Sequence, residues 1–350
     1  MNITAIFTFR TAALILSAVI SSPGCYYLSQ TKGQIDILLD REPLDKALRS
    51  PSYTPSQKER LRLVRVVKAF GVRTLGLRDA GTYETVYDTK GKPVAWNLVA
   101  CPPDSVRPRP WRFWVVGELP YIGFFQRADA EREEARCRAR GDDTLLRPVA
   151  AYSTLGWFAD PVFSTMLDDS EADLADLILH ELTHGTVFHR DRGDFNESLA
   201  TFAGQEGSLA FLAERHGPDA EVVRSARAEI DDARRFADWI RTTHDDLEAW
   251  YKGPGAREEK ISGREARFEE ARRRFRAIPF ATPVYRGWLE RNPLNNAVVA
   301  ANRDYTSHAD LFAAVAARHP EGLKGLIRLA ARPEAAKDPA RFLQEWLDGK

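Results

Sequence analysis

The feature that most constrains the fold of this chain is a pair of histidines four residues apart, His180 and His184. Leu174, Ile178 and Leu182 recur around them at the spacing that keeps one side of a helix apolar. Residues four apart lie on the same face of a helix, so the two imidazoles project together and can bind one metal ion. The segment therefore predicts a helix that carries two metal ligands.

Glu181 completes the pattern His-Glu-x-x-His. It points about 100° around the helix from His180, so its carboxylate can reach a zinc-bound water without ligating the metal. Zinc lowers the pKa of that water, and Glu181 can take its proton and pass it to the leaving amine. The pattern thus predicts a peptidase with one Zn²⁺ ion and Glu181 as the catalytic base. The competing interpretation is a buried helix with two incidental histidines.

A catalytic zinc normally has three protein ligands and one open position. We expect Glu197 to be the third ligand, because it opens the helix that follows a chain reversal at residues 191–194. An antiparallel packing would direct its carboxylate to the ion. His189 is the alternative ligand, although it would lie on another helical face if the first helix continued. Glu197 could also merely complete a capping box with Asp194.

Further side chains could support the chemistry. Asn196 and Thr201 could orient the third ligand, though both are common at helix starts. Tyr152 and Tyr305 are candidate donors to the developing oxyanion, because a phenol can stabilise negative charge. Packing of either aromatic ring against the core is the alternative.

The first 24 residues are typical of an export signal. Arg10 precedes an uncharged, mostly apolar run over residues 11–20, which is too short to cross a membrane as a permanent helix. Small residues then lead to Cys25, as at the lipidation site of bacterial lipoproteins, although Ser22 replaces the usual aliphatic residue. We expect Cys25 to carry lipid, the alternative being plain secretion with a free cysteine.

The charge balance argues against nucleic acid as a partner. Fifty basic and fifty acidic side chains cancel, whereas nucleic-acid-binding proteins carry a clustered positive excess. The predicted partners are a peptide or protein substrate and, through a lipid on Cys25, a membrane. Cys101 and Cys137 could pair in an oxidising compartment or remain free thiols, and neither has the spacing of a zinc ligand.

The fold class predicted is α+β and helix-dominated: a zincin-like peptidase with a minor sheet. Short aromatic runs broken by Gly and Pro predict small strands between residues 83 and 125. The predicted segments are a signal peptide at 1–24, a tether and entry segment at 25–50 and a zincin-like peptidase domain at 51–350. Within that domain lie the metal helices at about 170–190 and 195–215, and a helical hairpin at 219–280, split by Gly-Pro-Gly at 253–255.

Several stretches of the chain, the histidine motif among them, resemble a family of bacterial lipoproteins classed as zinc-dependent aminopeptidases. The shared stretches are GCYYLSQ, WNLVA, VVGELPYIGFF, AYSTLGWFADP, HELTH, FNESLATF and NNAVV followed by Tyr305. The resemblance covers nearly the whole mature chain. It implies a gluzincin-like site with His180, His184 and Glu197 as zinc ligands and Glu181 as base.

Two functions compete at this point. The first is an envelope-anchored, periplasm-facing metallopeptidase that hydrolyses peptide bonds, with aminopeptidase action as one form. The second is a non-catalytic zinc-binding lipoprotein that acts as a scaffold in the cell envelope. Glu181 favours the enzyme, since a structural zinc site has no need of that carboxylate, whereas a fourth ligand such as His189 would favour the scaffold.

Overall fold

The computed structural model describes residues 24–113, 117–149, 160–303 and 308–349. Apart from Gly24, the predicted signal peptide lies outside these ranges, and so do Tyr152 and Tyr305. Within them, no helix combines the length and the apolar character needed to cross a membrane.

The first elements pack on the main core. They are α1 (Gly24–Asp40), β1 (Glu42–Pro43), α2 (Leu44–Arg49) and α3 (Pro55–Phe70), which continues into a π-helical turn at Gly71–Leu75. Cys25 falls in α1, but its side chain lies outside the described part of the structure. Ile37, Leu44 and Ala47 are buried in the main core. From Ile37 onwards the predicted tether and entry segment therefore packs on the folded body.

Short strands make up the β part of the described chain. They are β2 (Thr85–Tyr87), β3 (Ala95–Cys101), β4 (Trp111–Phe113), β5 (Gly117–Leu119), β6 (Ile122–Phe124), β7 (Asp143–Val149) and β8 (Val162–Phe163). Two sheets have three strands, in the orders β1-β2-β8 and β6-β3-β7, and β4 pairs with β5. The sequence did not predict β7, which contains Pro148; as an edge strand, β7 tolerates the missing N–H.

Helices dominate the remainder. They are α4 (Arg127–Ala139), α5 (Glu171–Thr186), α6 (Gly193–His216), α7 (Glu221–Lys252), α8 (Arg257–Arg276), α9 (Trp288–Arg291), α10 (Asn296–Ala301), α11 (Ala309–Arg318), α12 (Gly322–Ala330) and α13 (Pro339–Asp348), with 3₁₀ turns at Ser164–Asp168 and Pro333–Ala336. The described chain is thus predominantly helical with small sheets, while the zincin-like arrangement stays a prediction.

The long helices α7 and α8 form the predicted hairpin, with the break at residues 253–256. Their contact is aromatic: Trp239 packs edge-on against Phe275, and its indole N–H donates to the carbonyl of Ala271 at 2.8 Å. A separate core contains α5, α6 and the N-terminal helices, so the metal helices belong to the main core and not to the hairpin.

Both described cysteines outside α1 are free and buried. Cys101 lies at the end of β3, and burial raises the pKa of its thiol. Cys137 lies in α4, where its sulfur accepts a contact from Arg140 at 3.1 Å. The two residues are therefore present as unpaired thiols.

Candidate metal centre

Helix α5 starts where its sequence predicts. The hydroxyl of Ser170 accepts a hydrogen bond from the N–H of Asp173 at 3.1 Å, which satisfies one of the free donors of the first turn. Glu171 and Asp173 add negative charge at the helix N-terminus, where the helix dipole favours it. Leu174, Ile178 and other apolar residues of one face are buried, and this packing fixes the rotation of the helix.

The helix ends at Thr186, four residues earlier than the predicted end at 190. The residue after it, Val187, is extended, since a β-branched residue following Gly-Thr gives little helical preference. The reversal is held by Asn196, whose amide accepts from the N–H of His189 at 2.9 Å and donates to the His189 carbonyl at 2.7 Å. Asn196 therefore shapes the turn that precedes Glu197 on α6.

Close packing brings α6 antiparallel to α5. At Gly204 a Cβ atom would collide with the side chain of Asp176 and lie 2.9 Å from its backbone oxygen. At Gly207 an added Cβ would lie 2.9 Å from Leu179. The two glycines let the helix backbones approach, which places Glu197 opposite the histidines.

Three predicted ligands converge in the space between these helices. Nε2 of His180 lies 3.1 Å from Nε2 of His184. The Glu197 carboxylate lies 3.7 Å from Nε2 of His180 and 3.5 Å from Nε2 of His184. Ligand atoms about 2.0–2.2 Å from a tetrahedral zinc ion are about 3.4 Å apart, so this donor set fits zinc. Among the described residues, these three side chains form the one group of His, Cys, Asp or Glu that could hold a metal ion.

Charge in the site favours a cation. Burial and the neighbouring charge of His184 lower the pKa of His180 to about 4. Burial opposes protonation of His184 as well, but contact with the Glu197 carboxylate outweighs it and raises the His184 pKa. Burial likewise opposes ionisation of Glu197, yet His184 outweighs it and lowers the Glu197 pKa. Without metal, a proton on His184 therefore occupies the place of the positive charge.

The catalytic base predicted from the sequence lies on the same helix. Glu181 is half-buried, and its charge contributes to raising the pKa of His184, which places the carboxylate near the ligands. The side chain of Glu197 is 38% exposed, whereas that of His184 is 4% exposed. The site is thus closed towards the core and open on the side of Glu197.

His189, the alternative ligand, lies in the reversal and not on α5. Its Nε2 atom is 2.9 Å from the carbonyl oxygen of Ala330, and its ring packs against Phe195. It is not part of the ligand group formed by His180, His184 and Glu197. Glu197, the third ligand expected from the sequence, is therefore the candidate that lies beside the two histidines.

Two further groups, the carboxyl group of Asp176 and the phenol of Tyr83, were not predicted from the sequence. Asp176 precedes His180 by one helical turn, a spacing visible in the sequence; burial, with the charge of Asp173, raises its pKa to about 7. Tyr83 comes from a distant loop and feels the charge of Glu181. Nothing in the sequence around Tyr83 signals that electrostatic influence. The predicted phenols Tyr152 and Tyr305 lie outside the described residues.

Comparison with known proteins gives a family but no single relative. No curated protein and no solved structure matches the chain. One family model, described as "Putative aminopeptidase", matches residues 25–342. Because the match covers most of the chain, metal helices included, this protein belongs to that aminopeptidase family.

Proposed function

We propose that this protein is a zinc-dependent peptidase that acts on the N-termini of peptides. The observation that carries the proposal is the convergence of His180, His184 and Glu197 on one point, with spacings close to those of a tetrahedral zinc site. Membership of the aminopeptidase family supports hydrolysis of peptide bonds. A zincin-like fold is part of the same proposal.

The residues of the proposed site have separate roles. His180, His184 and Glu197 would hold the ion, which supplies a Lewis acid that polarises the peptide carbonyl and acidifies water. Glu181 accepts the proton of the attacking water and returns it to the nitrogen of the leaving amine as the C–N bond breaks. The side chains of His180 and His184 are 20% and 4% exposed, so both are largely enclosed by the protein.

The ligand set favours an enzyme over a scaffold. A structural zinc site is closed by four protein ligands, whereas the described residues offer three. His189, which could have been the fourth, is engaged with Ala330. The exposed side of Glu197 leaves a direction from which a substrate can approach.

The proposal includes a location in the bacterial envelope. The signal-like segment and Cys25 support export and attachment of a lipid, so the peptidase would face the periplasm from a membrane. Peptides or proteins of that compartment would then be the substrates.

The test combines metal content with activity. The mature protein from residue 26 is purified as wild type, Glu197→Ala, Glu181→Gln and, as a control, Glu214→Gln, whose carboxylate pairs with Arg73 on the surface of α6. Each is analysed for zinc and assayed on a library of free-amino and N-acetylated peptides. We expect about one zinc per chain in all but Glu197→Ala.

Activity separates the two functions. Glu181→Gln should retain zinc and lose at least about 100-fold in kcat/KM, while Glu214→Gln stays active. Preference for free-amino over acetylated peptides would support aminopeptidase action. Zinc in the wild type with no cleavage of any peptide would leave the scaffold function, and a wild type that takes up no zinc would overturn the metal site.

A further inference from the structure

A cavity of about 340 Å³, here called the α1 cavity, is lined by residues of α1, β4, β6 and α4. This volume lies within the range of about 300–1,000 Å³ that is usual for small-molecule sites. The apolar part of its wall consists of aromatic rings and one aliphatic side chain: Tyr26, Trp111, Phe113, Ile122 and Phe124. The first turn of α1 therefore borders a pocket that has the composition of a ligand site.

The start of α1 is attached to one wall of this cavity. The hydroxyl of Tyr26 donates to the carbonyl of Gly123 on β6 at 3.0 Å. The Tyr26 ring packs edge-on against Phe124, with 5.5 Å between the ring centroids. Two helical turns later, Gly33 lets α1 approach Phe125, because a Cβ atom at Gly33 would collide with that ring. The chain is therefore already part of the folded body at Tyr26.

The proposed lipidation site has no spacer between it and the α1 cavity. Cys25 immediately precedes Tyr26, and the α-carbons of neighbouring residues are about 3.8 Å apart. A lipid on Cys25 would therefore be held beside the cavity, with no flexible linker between the anchor and the folded body. When that lipid is inserted in a bilayer, the surface around Tyr26 lies at the level of the phospholipid headgroups.

Arginines line the solvent side of the α1 cavity. Arg132 and Arg136 lie one turn apart on α4, and Arg112 lies on β4. Arg132 pairs with Asp129 and Arg136 with Glu133, yet the two arginine side chains remain 67% and 70% exposed. A guanidinium group has five N–H donors, so each arginine can keep its carboxylate partner and still bind a phosphate oxygen.

The wall of the α1 cavity also contains a buried hydrogen-bond donor. Nε1 of Trp111 is shielded from solvent and has no hydrogen-bond partner among the described residues. A buried indole N–H normally finds a partner, because burial of a polar group without a hydrogen bond costs free energy. A phosphate or ester oxygen of a bound lipid would supply the acceptor that Trp111 lacks.

We propose that the α1 cavity binds an anionic phospholipid of the membrane in which the lipid of Cys25 is anchored. The inference rests on the envelope location in the proposed function, and not on the peptidase chemistry. The acyl part of the phospholipid enters between the aromatic rings, and Arg132 and Arg136 bind its phosphate. Trp and Tyr are enriched at membrane interfaces, and Arg buries its stem there while its charge stays in water. The bound lipid fixes the orientation of the folded body on the membrane.

The test measures vesicle binding by the mature chain from residue 25 with Cys25→Ser, which carries no lipid of its own. The vesicles contain phosphatidylglycerol and phosphatidylethanolamine, or phosphatidylcholine alone, and sedimentation separates bound from unbound protein. We expect binding to the anionic vesicles, and a Kd at least about 10-fold weaker for the neutral ones. No binding to the anionic vesicles, or equal binding to both, would overturn the proposal.

Two pairs of arginines separate a site at the cavity from a general effect of charge. Arg132→Gln with Arg136→Gln should weaken binding to the anionic vesicles at least about 10-fold, since each arginine near such a surface contributes about fivefold. The matched control is Arg241→Gln with Arg273→Gln, two exposed arginines that likewise pair with an acid three residues earlier on α7 and α8. The control should bind as the parent protein does. Equal weakening in both double variants would overturn the site.

Trp111→Phe tests the interior of the cavity, because it keeps a ring in the wall and removes only the indole N–H and part of the ring area. Loss of a hydrogen bond to a charged group should weaken binding about 10-fold, with an unchanged circular dichroism spectrum. The control is Trp346→Phe on α13, whose ring stacks on His319. Unchanged binding in Trp111→Phe would overturn a site within the cavity.

The anchor is measured separately, by mass spectrometry of the full chain extracted from membranes. A Cys25 without lipid would refute the envelope anchoring of the proposed function, and a wild type inactive on all peptides would refute the peptidase. Neither result changes the vesicle measurement, which decides the phospholipid site by itself.

Discussion

The α-carbon of Gly204 faces Asp176 so closely that no side chain fits between them. A Cβ at Gly204 would meet the Asp176 carboxylate, approach the Asp176 backbone oxygen to 2.9 Å and lie 3.2 Å from Cβ of His180. The carboxylate can turn away, but the backbone oxygen cannot. This contact sets the distance between α5 and α6, and with it the reach of Glu197 to the histidines.

Gly204→Ala is expected to weaken the metal site from a distance. The new methyl group forces α6 away from α5 and shifts Glu197, so zinc affinity should fall about 10-fold to 100-fold, as for other residues that orient ligands. The free energy of unfolding should fall by about 1–3 kcal/mol, despite the better helix propensity of Ala. Competition with a chromogenic chelator and urea unfolding measure the two effects.

Gly185→Ala is the matched control for that experiment. Gly185 lies on α5 beside His184, but an added Cβ meets nothing within 4 Å. This variant should bind zinc as the wild type does. If Gly204→Ala binds zinc equally well, the close approach of the helices does not position Glu197.

Zinc binding at pH 6 should release about one proton per chain, and not two. Histidine ligands bind metal only when neutral, so each protonated imidazole must lose its proton. With its pKa lowered to about 4, His180 is already neutral at pH 6, whereas the raised pKa of His184 keeps that ring protonated. Apparent zinc affinity should therefore rise about tenfold per pH unit below the pKa of His184.

Calorimetry in two buffers of different ionisation enthalpy counts the released protons. Glu214→Gln, which leaves the site untouched, should give the same count as the wild type. Release of two protons would show that His180 is protonated in the metal-free protein, contrary to the effect of its burial.

The sequence was most informative where a short spacing determines geometry. His180 and His184 lie four apart on a helix, so their convergence follows from helical periodicity alone. Glu197 required one further step, an antiparallel return, which the reversal before it indicated. Tyr83 could not be predicted in this way: it lies far before α5 in the chain, and no local pattern indicates that its phenol feels the charge of Glu181.

The elements of the fold were likewise predicted where a local signal marks them and missed where they depend on distant contacts. The hairpin was predicted from its break at Gly-Pro-Gly, a local signal, whereas β7 escaped because Pro148 hides a strand whose existence depends on pairing with β3. The end of α5 was placed four residues late, because Asn196 stabilises the reversal from the next helix.

His189→Ala is expected to lower stability without removing zinc. The substitution deletes the contact between Nε2 and the Ala330 carbonyl at 2.9 Å and the packing against Phe195. Loss of a buried hydrogen bond and of ring packing should reduce the free energy of unfolding by about 1–3 kcal/mol. Zinc content should stay at the wild-type value in the folded protein. Its loss would make His189 a ligand and favour the structural site.

Asp176 should make the stability of the metal-free protein depend on pH. Its pKa is about 7 in the folded protein, raised by burial and then by Asp173, against about 3.9 in an unfolded chain. Between these values the folded state binds more protons than the unfolded state, so the free energy of unfolding falls as the pH rises from about 4 to 7 and then levels off.

Asp176→Asn removes this titration. Relative to wild type it should therefore gain on the order of 2–4 kcal/mol between pH 4 and pH 8. Urea unfolding in the presence of a chelator measures the difference, with Asp238→Asn, an exposed aspartate paired with Arg241 on α7, as the control that follows the wild type. A constant difference between Asp176→Asn and wild type over this range would mean that the carboxyl group is ionised in the folded protein throughout.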